Sequence, residues 1–208
     1  MNKVITQLSE IKLVGITART SNAAEMKADT AKIGAIMQQF FAGKLQDKIL
    51  NRKTPEKVFA VYTNYKSDAT GEYTYFLGEE VTSFENIDKE FSTLTIPMQT
   101  YAKFTSGPDQ MPKVVIDMWQ KIWNMDTAML GGERAYIADF EIYDERSSDL
   151  NNAVVDIYIG ILDELEKLAM LFFIFNPHVD LTTLRLKISK RLALFQVDLR
   201  ILIILIFC

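Results

Sequence analysis

Cysteine and histidine are almost missing from this chain of 208 residues, which has one of each, Cys208 at the last position and His178. A single cysteine closes no disulfide within the chain, and one Cys with one His cannot build a Cys/His zinc cluster. A terminal cysteine is also a poor place to hold a nucleophile. Excess positive charge is missing too. There are 23 Lys and Arg against 27 Asp and Glu, a net charge of −4, unlike the basic footprint of a nucleic-acid binder. No apolar run approaches the ~18 residues that a spanning helix needs; the longest occupy residues 168–175 and 201–208. Residues 1–15 mix charges with apolar side chains and lack the continuous apolar stretch of a secretory leader. Neither Gly-x-x-x-x-Gly-Lys nor Gly-x-Gly-x-x-Gly occurs, so Gly131-Gly132 reads as a loop rather than a phosphate cradle. These absences lead to the expectation of a soluble, cytoplasmic protein with no metal and no cofactor.

Apolar residues make up 49% of the chain and charged ones 24%, which suits a folded domain with a sizeable core. At this length the chain is one large domain, or a domain with an appendage. Composition breaks after Gly160. All nine Gly, all eight Tyr and both Trp fall in residues 1–160, while residues 161–208 have none of them and hold 12 Leu. The expected division is a domain at 1–161 and an apolar C-terminal extension at 162–208.

Residues 1–160 read as two similar halves. In the first, residues 11–19 are β-branched and apolar, a strand. Residues 29–43 set Ile33, Ile36, Met37, Phe40 and Phe41 on one helical stripe, and Gly43 stops the helix. Residues 58–65 (VFAVYTNY) and 72–81 (EYTYFLGEEV) are rich in aromatic and β-branched residues with turn chemistry between them, a hairpin. The second half repeats this β-α-β-β order. A strand at 98–105 leads through Gly107-Pro108 and Pro112 into a helix at 114–125, with Val115, Met118, Trp119, Ile122 and Trp123 on one face. Strands follow at 136–143 and 153–161, and an additional strand is expected at 91–96. The spacing is nearly kept: Tyr62 to Phe76 is 14 positions, Tyr143 to Tyr158 is 15. The fold class is α+β: two pseudo-symmetric β-α-β-β repeats forming an antiparallel sheet, with two helices on one face and a central ligand cleft.

Successive side chains of a strand face opposite sides. In residues 138–143, Ala138, Phe140 and Ile142 make one face and Asp139, Glu141 and Tyr143 the other. In the last strand Val155, Ile157 and Ile159 oppose Asp156 and Tyr158. The aliphatic faces are expected to pack on the helices. The opposite faces then present Glu141, Tyr143 and Tyr158, with Tyr62 and Phe76 from the first half. The product is a cleft lined with aromatics and one carboxylate. Asp139 and Asp156 are expected to be solvated neighbours of that cleft, and Glu79, Glu80 and Glu85 to be solvated as well.

The runs VFAVYTNYKSDATGEYTYFLGEEV, YAKFTSGPDQMPKVVIDMWQKIW, FEIYDE and VVDIYIGI resemble, in their order and spacing, the GyrI-like small-molecule-binding domain. That is the effector-binding domain of AraC-type and MerR-type multidrug-responsive regulators, with stand-alone members among gyrase-inhibitor-like and integron-cassette proteins. The stand-alone integron-cassette type is the nearest likeness, over roughly residues 10–161. The resemblance implies a pseudo-symmetric domain whose ligands are amphipathic organic cations and drug-like molecules. It implies that Glu141 is the central carboxylate, with Tyr62, Trp119, Trp123 and Tyr158 around it. The regulators also carry a DNA-binding domain. No basic recognition helix precedes the domain in this sequence, so direct nucleic-acid binding is not expected.

Each of these residues has a plainer reading. Glu141 as a solvated strand residue, Trp119 and Trp123 as an i, i+4 core stripe, and Tyr62 and Tyr158 as cross-strand stabilisers are all ordinary outcomes. Met118, Met125 and Met129 suit an adaptable lining or gap-filling core. Two further functional readings remain beside ligand binding. One, which the resemblance implies because some members of the superfamily are similar to such enzymes, is a hydrolase of strained electrophilic natural products, in which Glu141 with Tyr62 or Tyr158 activates water. Residues 1–160 hold no His and no Cys for a nucleophilic triad, and the protein is expected not to be an enzyme. The other is an interaction protein that inhibits a gyrase-like enzyme. The extension has two readings as well. Residues 162–175 suit an accessory helix, with Leu165, Leu168, Ala169 and Phe172 on one face, that packs on the sheet or makes a homodimer. Alternatively, translation past the usual stop gives a tail of no selected role, ending in the apolar residues 201–206.

Overall fold

The computed structural model describes residues 2–162; the helix and apolar end expected in the extension lie outside the described residues. The first half runs β1 (Asn2–Leu8), β2 (Ile11–Ser21), a one-turn α1 (Asn22–Glu25), α2 (Ile33–Ala42), β3 (Val58–Thr63) and β4 (Glu72–Glu80). The second runs β5 (Ser92–Ile96), β6 (Gln99–Asp109), α3 (Lys113–Trp123), α4 (Thr127–Leu130), a two-residue β7 (Glu133–Arg134), β8 (Ala138–Tyr143) and β9 (Ala153–Leu162). The repeated β-α-β-β order is present, with the additional strand at β5. Two strands are missed from the sequence, the two-residue β7 and the longer β1. The latter is an edge strand paired only with β6, and Val4 and Ile5, which point to opposite sides, are both about half exposed. It therefore has no alternation to read. Among the described residues no helix is long and apolar enough to cross a membrane.

Helix α2 begins at Ile33 rather than at Asp29. The Glu25 carboxylate accepts hydrogen bonds from the backbone N–H of Lys32 (3.0 and 3.2 Å) and Ile33 (3.2 Å), so an acid from the preceding turn caps the helix. Phe40 is fully buried while Phe41 is 46% exposed. Adjacent residues are about 100° apart on a helix, and both rings cannot face the sheet.

All strand pairs are antiparallel, in the order β1-β6-β9-β8-β3-β4-β2-β5, with β7 on β9. Each end of this order is covalently continuous with the strand beside the other end. β1 continues into β2 after Ser9-Glu10, and β5 continues into β6 after Pro97-Met98. The ladder Asn2↔Thr105 to Leu8↔Gln99 resumes in the same register as Ile11↔Ile96 to Gly15↔Ser92. The sheet therefore curls round and closes on itself through one long pair of strands. Its inner surface is a cluster of Leu13, Phe59, Val61, Phe76, Tyr101, Phe140 and Tyr158, built from strand residues alone. The Phe140 and Tyr158 rings stack at 4.7 Å. Its outer surface carries two further clusters, one under α2 (Val14, Tyr73, Tyr75, Leu77) and one under α3 (Phe104, Val155, Ile157, Ile159).

The acids expected to be solvated are not all so. Glu79 is fully buried, 3.5 Å from the Arg52 Nη1, and burial pushes its carboxyl up to about 7 against the pull of that arginine. Asp156 is buried among Lys103 (2.9 Å), Arg146 (2.7 Å) and Thr105 (2.6 Å). Each has a cation from another segment, which strand alternation alone cannot reveal.

Phe140 has no exposure and lies on the inner surface, away from the helices. Phe140→Ala is expected to lower the unfolding free energy by about 3–5 kcal/mol, the range for deleting a buried aromatic. Denaturant titration measures it. A loss under about 1 kcal/mol would mean that the curled sheet is not held by this cluster.

Candidate functional site

The two helices lie on the same outer face of the sheet and leave a cavity of about 750 Å³ between them. Its floor is the sheet, with Tyr62 (β3), Tyr73 (β4), Glu141 and Tyr143 (β8). Ile33 and Met37 of α2 form one wall, and Val115, Trp119 and Trp123 of α3 the other. Residues 22–26 carry Asn22, Glu25 and Met26 to the rim. Most of the lining is hydrocarbon or aromatic ring, which suits a hydrophobic small molecule.

Glu141 is 1% exposed. Its Oε1 accepts the Tyr62 hydroxyl at 2.8 Å and the Trp119 indole Nε1–H at 2.5 Å. Its Oε2 accepts the hydroxyl of Tyr143. No basic side chain among the described residues pairs with it. Burial raises its pKa above the usual carboxylate range, and the bonds from Tyr143, Trp119 and Tyr62 only partly oppose that rise. Burial and the neighbouring carboxylate push the Tyr62 and Tyr143 hydroxyls up as well, so both stay protonated and donate. Around this acid the rings meet edge to face: Tyr62 lies 5.0 Å from Trp119, 5.4 Å from Tyr73 and 5.4 Å from Tyr75.

A second network adjoins the first. Asp139, fully buried, accepts the Tyr65 hydroxyl at 2.7 Å, the Arg134 Nη2–H at 2.6 Å and the Gly160 N–H at 2.8 Å. The Arg134 guanidinium lies 4.7 Å from the Tyr136 ring and 5.8 Å from Trp119. Asp139 was expected in water. It is instead neutralised inside the protein, because α4 ends at Gly131 and β7 brings Arg134 back over the sheet.

Of the residues singled out in the sequence, Tyr62, Trp119, Trp123 and Glu141 meet around the cavity. Trp119 serves both core and site: it is 6% exposed yet donates to Glu141. Trp123 stands at the opening, 47% exposed. Tyr158 and Phe76 are placed elsewhere, and the reason is register. Glu141 pairs with Ala60 and Ile157, so Ile157 shares its face and Tyr158 points inward. Phe76 pairs with Val61, on the side opposite Tyr62. Both rings belong to the inner cluster of the curled sheet. The expectation that the helices cover the faces opposite Glu141 is corrected likewise: helices and carboxylate are on one side. Tyr65, Tyr73 and Arg134 were missed. Tyr65 lies beyond the end of β3 and Tyr73 on the neighbouring strand, where only the Tyr62↔Tyr75 register puts it on the Glu141 side, and Arg134 lies in a two-residue strand too short to carry a periodic signal.

Residues 4–161 match the family described as integron-associated effector binding protein. The chain is 29% identical over 157 residues to the putative transcriptional regulator YobU of Bacillus subtilis (strain 168), covering 76% of this chain and 96% of that protein. An integron cassette protein from the mobile metagenome of Vibrio cholerae is 30% identical, with a TM-score of 0.59 over 77% of this chain and 95% of that one. A protein solved bound to tetraphenylphosphonium shares the fold at 18% identity, with a TM-score of 0.64 over 80% of this chain and 97% of that one.

A buried acid whose folded pKa lies above its unfolded value stabilises fully below the unfolded value, about 4.3. That stabilisation is lost as pH rises through the folded value. Without ligand, Glu141→Gln is therefore expected to melt above the native protein at pH 8. The gap closes as pH falls toward 4. Glu79 titrates in both proteins and cancels in the comparison. A native protein that melts above Glu141→Gln at pH 8 would mean that the three hydrogen bonds outweigh burial.

Proposed function

The chain belongs to the integron-associated effector-binding family, and from that premise we propose that it binds hydrophobic, cationic, drug-like molecules in the cavity between α2 and α3. The observation that carries this reading is Glu141, a buried acid held by three donors and paired with no cation among the described residues. A buried charge without a counter-charge is costly. A cation placed over it removes that cost, and the faces of Tyr62 and Tyr73 add attraction of roughly 0.5–2 kcal/mol each. The wide ring surfaces demand few directional contacts, so the specificity is broad. A protein of the same fold is solved with tetraphenylphosphonium bound, a lipophilic cation of the class proposed. The role is effector binding or sequestration, without turnover. A strained ester or cyclopropane offered as substrate is expected to survive unchanged.

Tetraphenylphosphonium and the neutral triphenylphosphine oxide form a probe pair for tryptophan fluorescence titration, since Trp119 and Trp123 both border the cavity. Glu141→Gln is expected to weaken the phosphonium by about 30-fold or more, as when one partner of a buried charge pair is removed. The phosphine oxide should change little. Equal loss for both would remove the electrostatic role. Affinity of the native protein for the phosphonium, whose charge is permanent, should rise with pH as Glu141 ionises and then level off, while Glu141→Gln stays flat. A flat native profile from pH 4 to 9 would contradict the proposal.

A further inference from the structure

Arg134 lines the same cavity as Glu141, and cation binding at Glu141 gives it no task. Its side chain is 10% exposed, and Nη2 donates to Asp139. Its Nε is buried and has no acceptor. Nearly all buried donors in proteins find a partner, so an orphan N–H in a guanidinium that lines a cavity leaves that group with hydrogen-bonding capacity the protein does not use. The guanidinium also occupies the rings nearest to it, Tyr136 at 4.7 Å, Trp119 at 5.8 Å and Tyr65 at 5.9 Å. A resident cation therefore fills the aromatic surface at this end, and a second cation from the ligand is repelled there. Asp139 already neutralises the guanidinium, and the other charged lining groups are Glu141 and Glu25. A ligand carboxylate would meet walls of net negative charge. What fits is a neutral acceptor oxygen.

We infer that Arg134 is a specificity-determining residue that donates to a neutral hydrogen-bond acceptor, a carbonyl, ether or hydroxyl oxygen, on the ligand whose cationic centre pairs with Glu141. Trp119 sets the separation of the two points. Its Nε1–H reaches Glu141 at 2.5 Å and its ring lies under Arg134, so one indole stands between them and a single small molecule spans both. The preferred ligand class is thus a lipophilic cation bearing a polar oxygen about one aromatic ring away from its charge. This rests on the cation reading of the cavity and narrows it.

The test compares (4-acetylbenzyl)triphenylphosphonium with (4-isopropylbenzyl)triphenylphosphonium, equal in charge and nearly equal in shape, titrated into the full chain by calorimetry. The acetyl probe is expected to bind about tenfold tighter, the size of a hydrogen bond to a charged group. Arg134→Lys keeps a positive charge beside Asp139 but loses the fork, and the ratio should fall to within about twofold. Should that variant fail to fold, Arg134→Met with Asp139→Asn removes both charges together and should also abolish the ratio. The (4-carboxybenzyl) probe should bind more weakly than the isopropyl one. Equal binding of the acetyl and isopropyl probes to the native protein overturns the inference and leaves the cation reading standing, as does a preference that survives loss of Arg134. If neither probe binds, both fall.

Discussion

A carboxylate cannot be taken out of water without something to hold it, and how Glu141 is held organises the whole helix-covered side of this domain. Its three donors come from three elements: Tyr62 from β3, Tyr143 from β8 and Trp119 from α3. The acid thus pins a helix to two strands at the centre of the cavity floor. Hydrogen bonds satisfy its lone pairs and fix its direction, but they do not cancel its charge. The remaining field points into a space lined by rings. Such a group is already desolvated and oriented before any ligand arrives, so a cation entering the cavity need not order it.

The closed, curled sheet makes that arrangement tolerable. In an ordinary two-layer α/β domain, the helices must pack tightly because they cover the only core the sheet has. Here the inner surface of the curl forms a core of its own, with Tyr101, Phe140 and Tyr158 in mutual contact and no helix involved. The outer face is then free to leave about 750 Å³ unfilled between α2 and α3. β3 of the first half pairs directly with β8 of the second, so a cavity whose walls come from different repeats has a continuous floor.

Element order was legible because both halves use the same vocabulary: aromatic hairpins, one apolar helical stripe, and turns rich in Gly and Pro. Tyr62, Trp119, Trp123 and Glu141 border one cavity. The failure over Tyr158 and Phe76 is specific. Alternation divides each strand into two faces, but only register says which face of one strand joins which face of the next. Glu141 opposite Ile157 rather than Tyr158 turns a supposed wall of the cleft into interior core. The misreading of Asp139, Asp156 and Glu79 has another cause. Each acid is buried because an Arg or Lys from another segment meets it, and a long-range partner leaves no trace in local pattern.

Asp139 and Glu141 show how little separates an acid neutralised within the fold from one left without a counter-charge. They lie two residues apart on the same face of β8, both buried and both bonded to a tyrosine hydroxyl. Asp139 receives Arg134; Glu141 receives the indole N–H of Trp119, whose ring stands under that same guanidinium. If the arginine reached one step further along the strand, the cavity would contain its own salt bridge and nothing in it would call for a cation. Trp119 prevents this by filling the gap with a neutral donor that satisfies Glu141 without discharging it. The cation selectivity proposed for the site rests on where a positive charge is withheld as much as on where negative charge is placed.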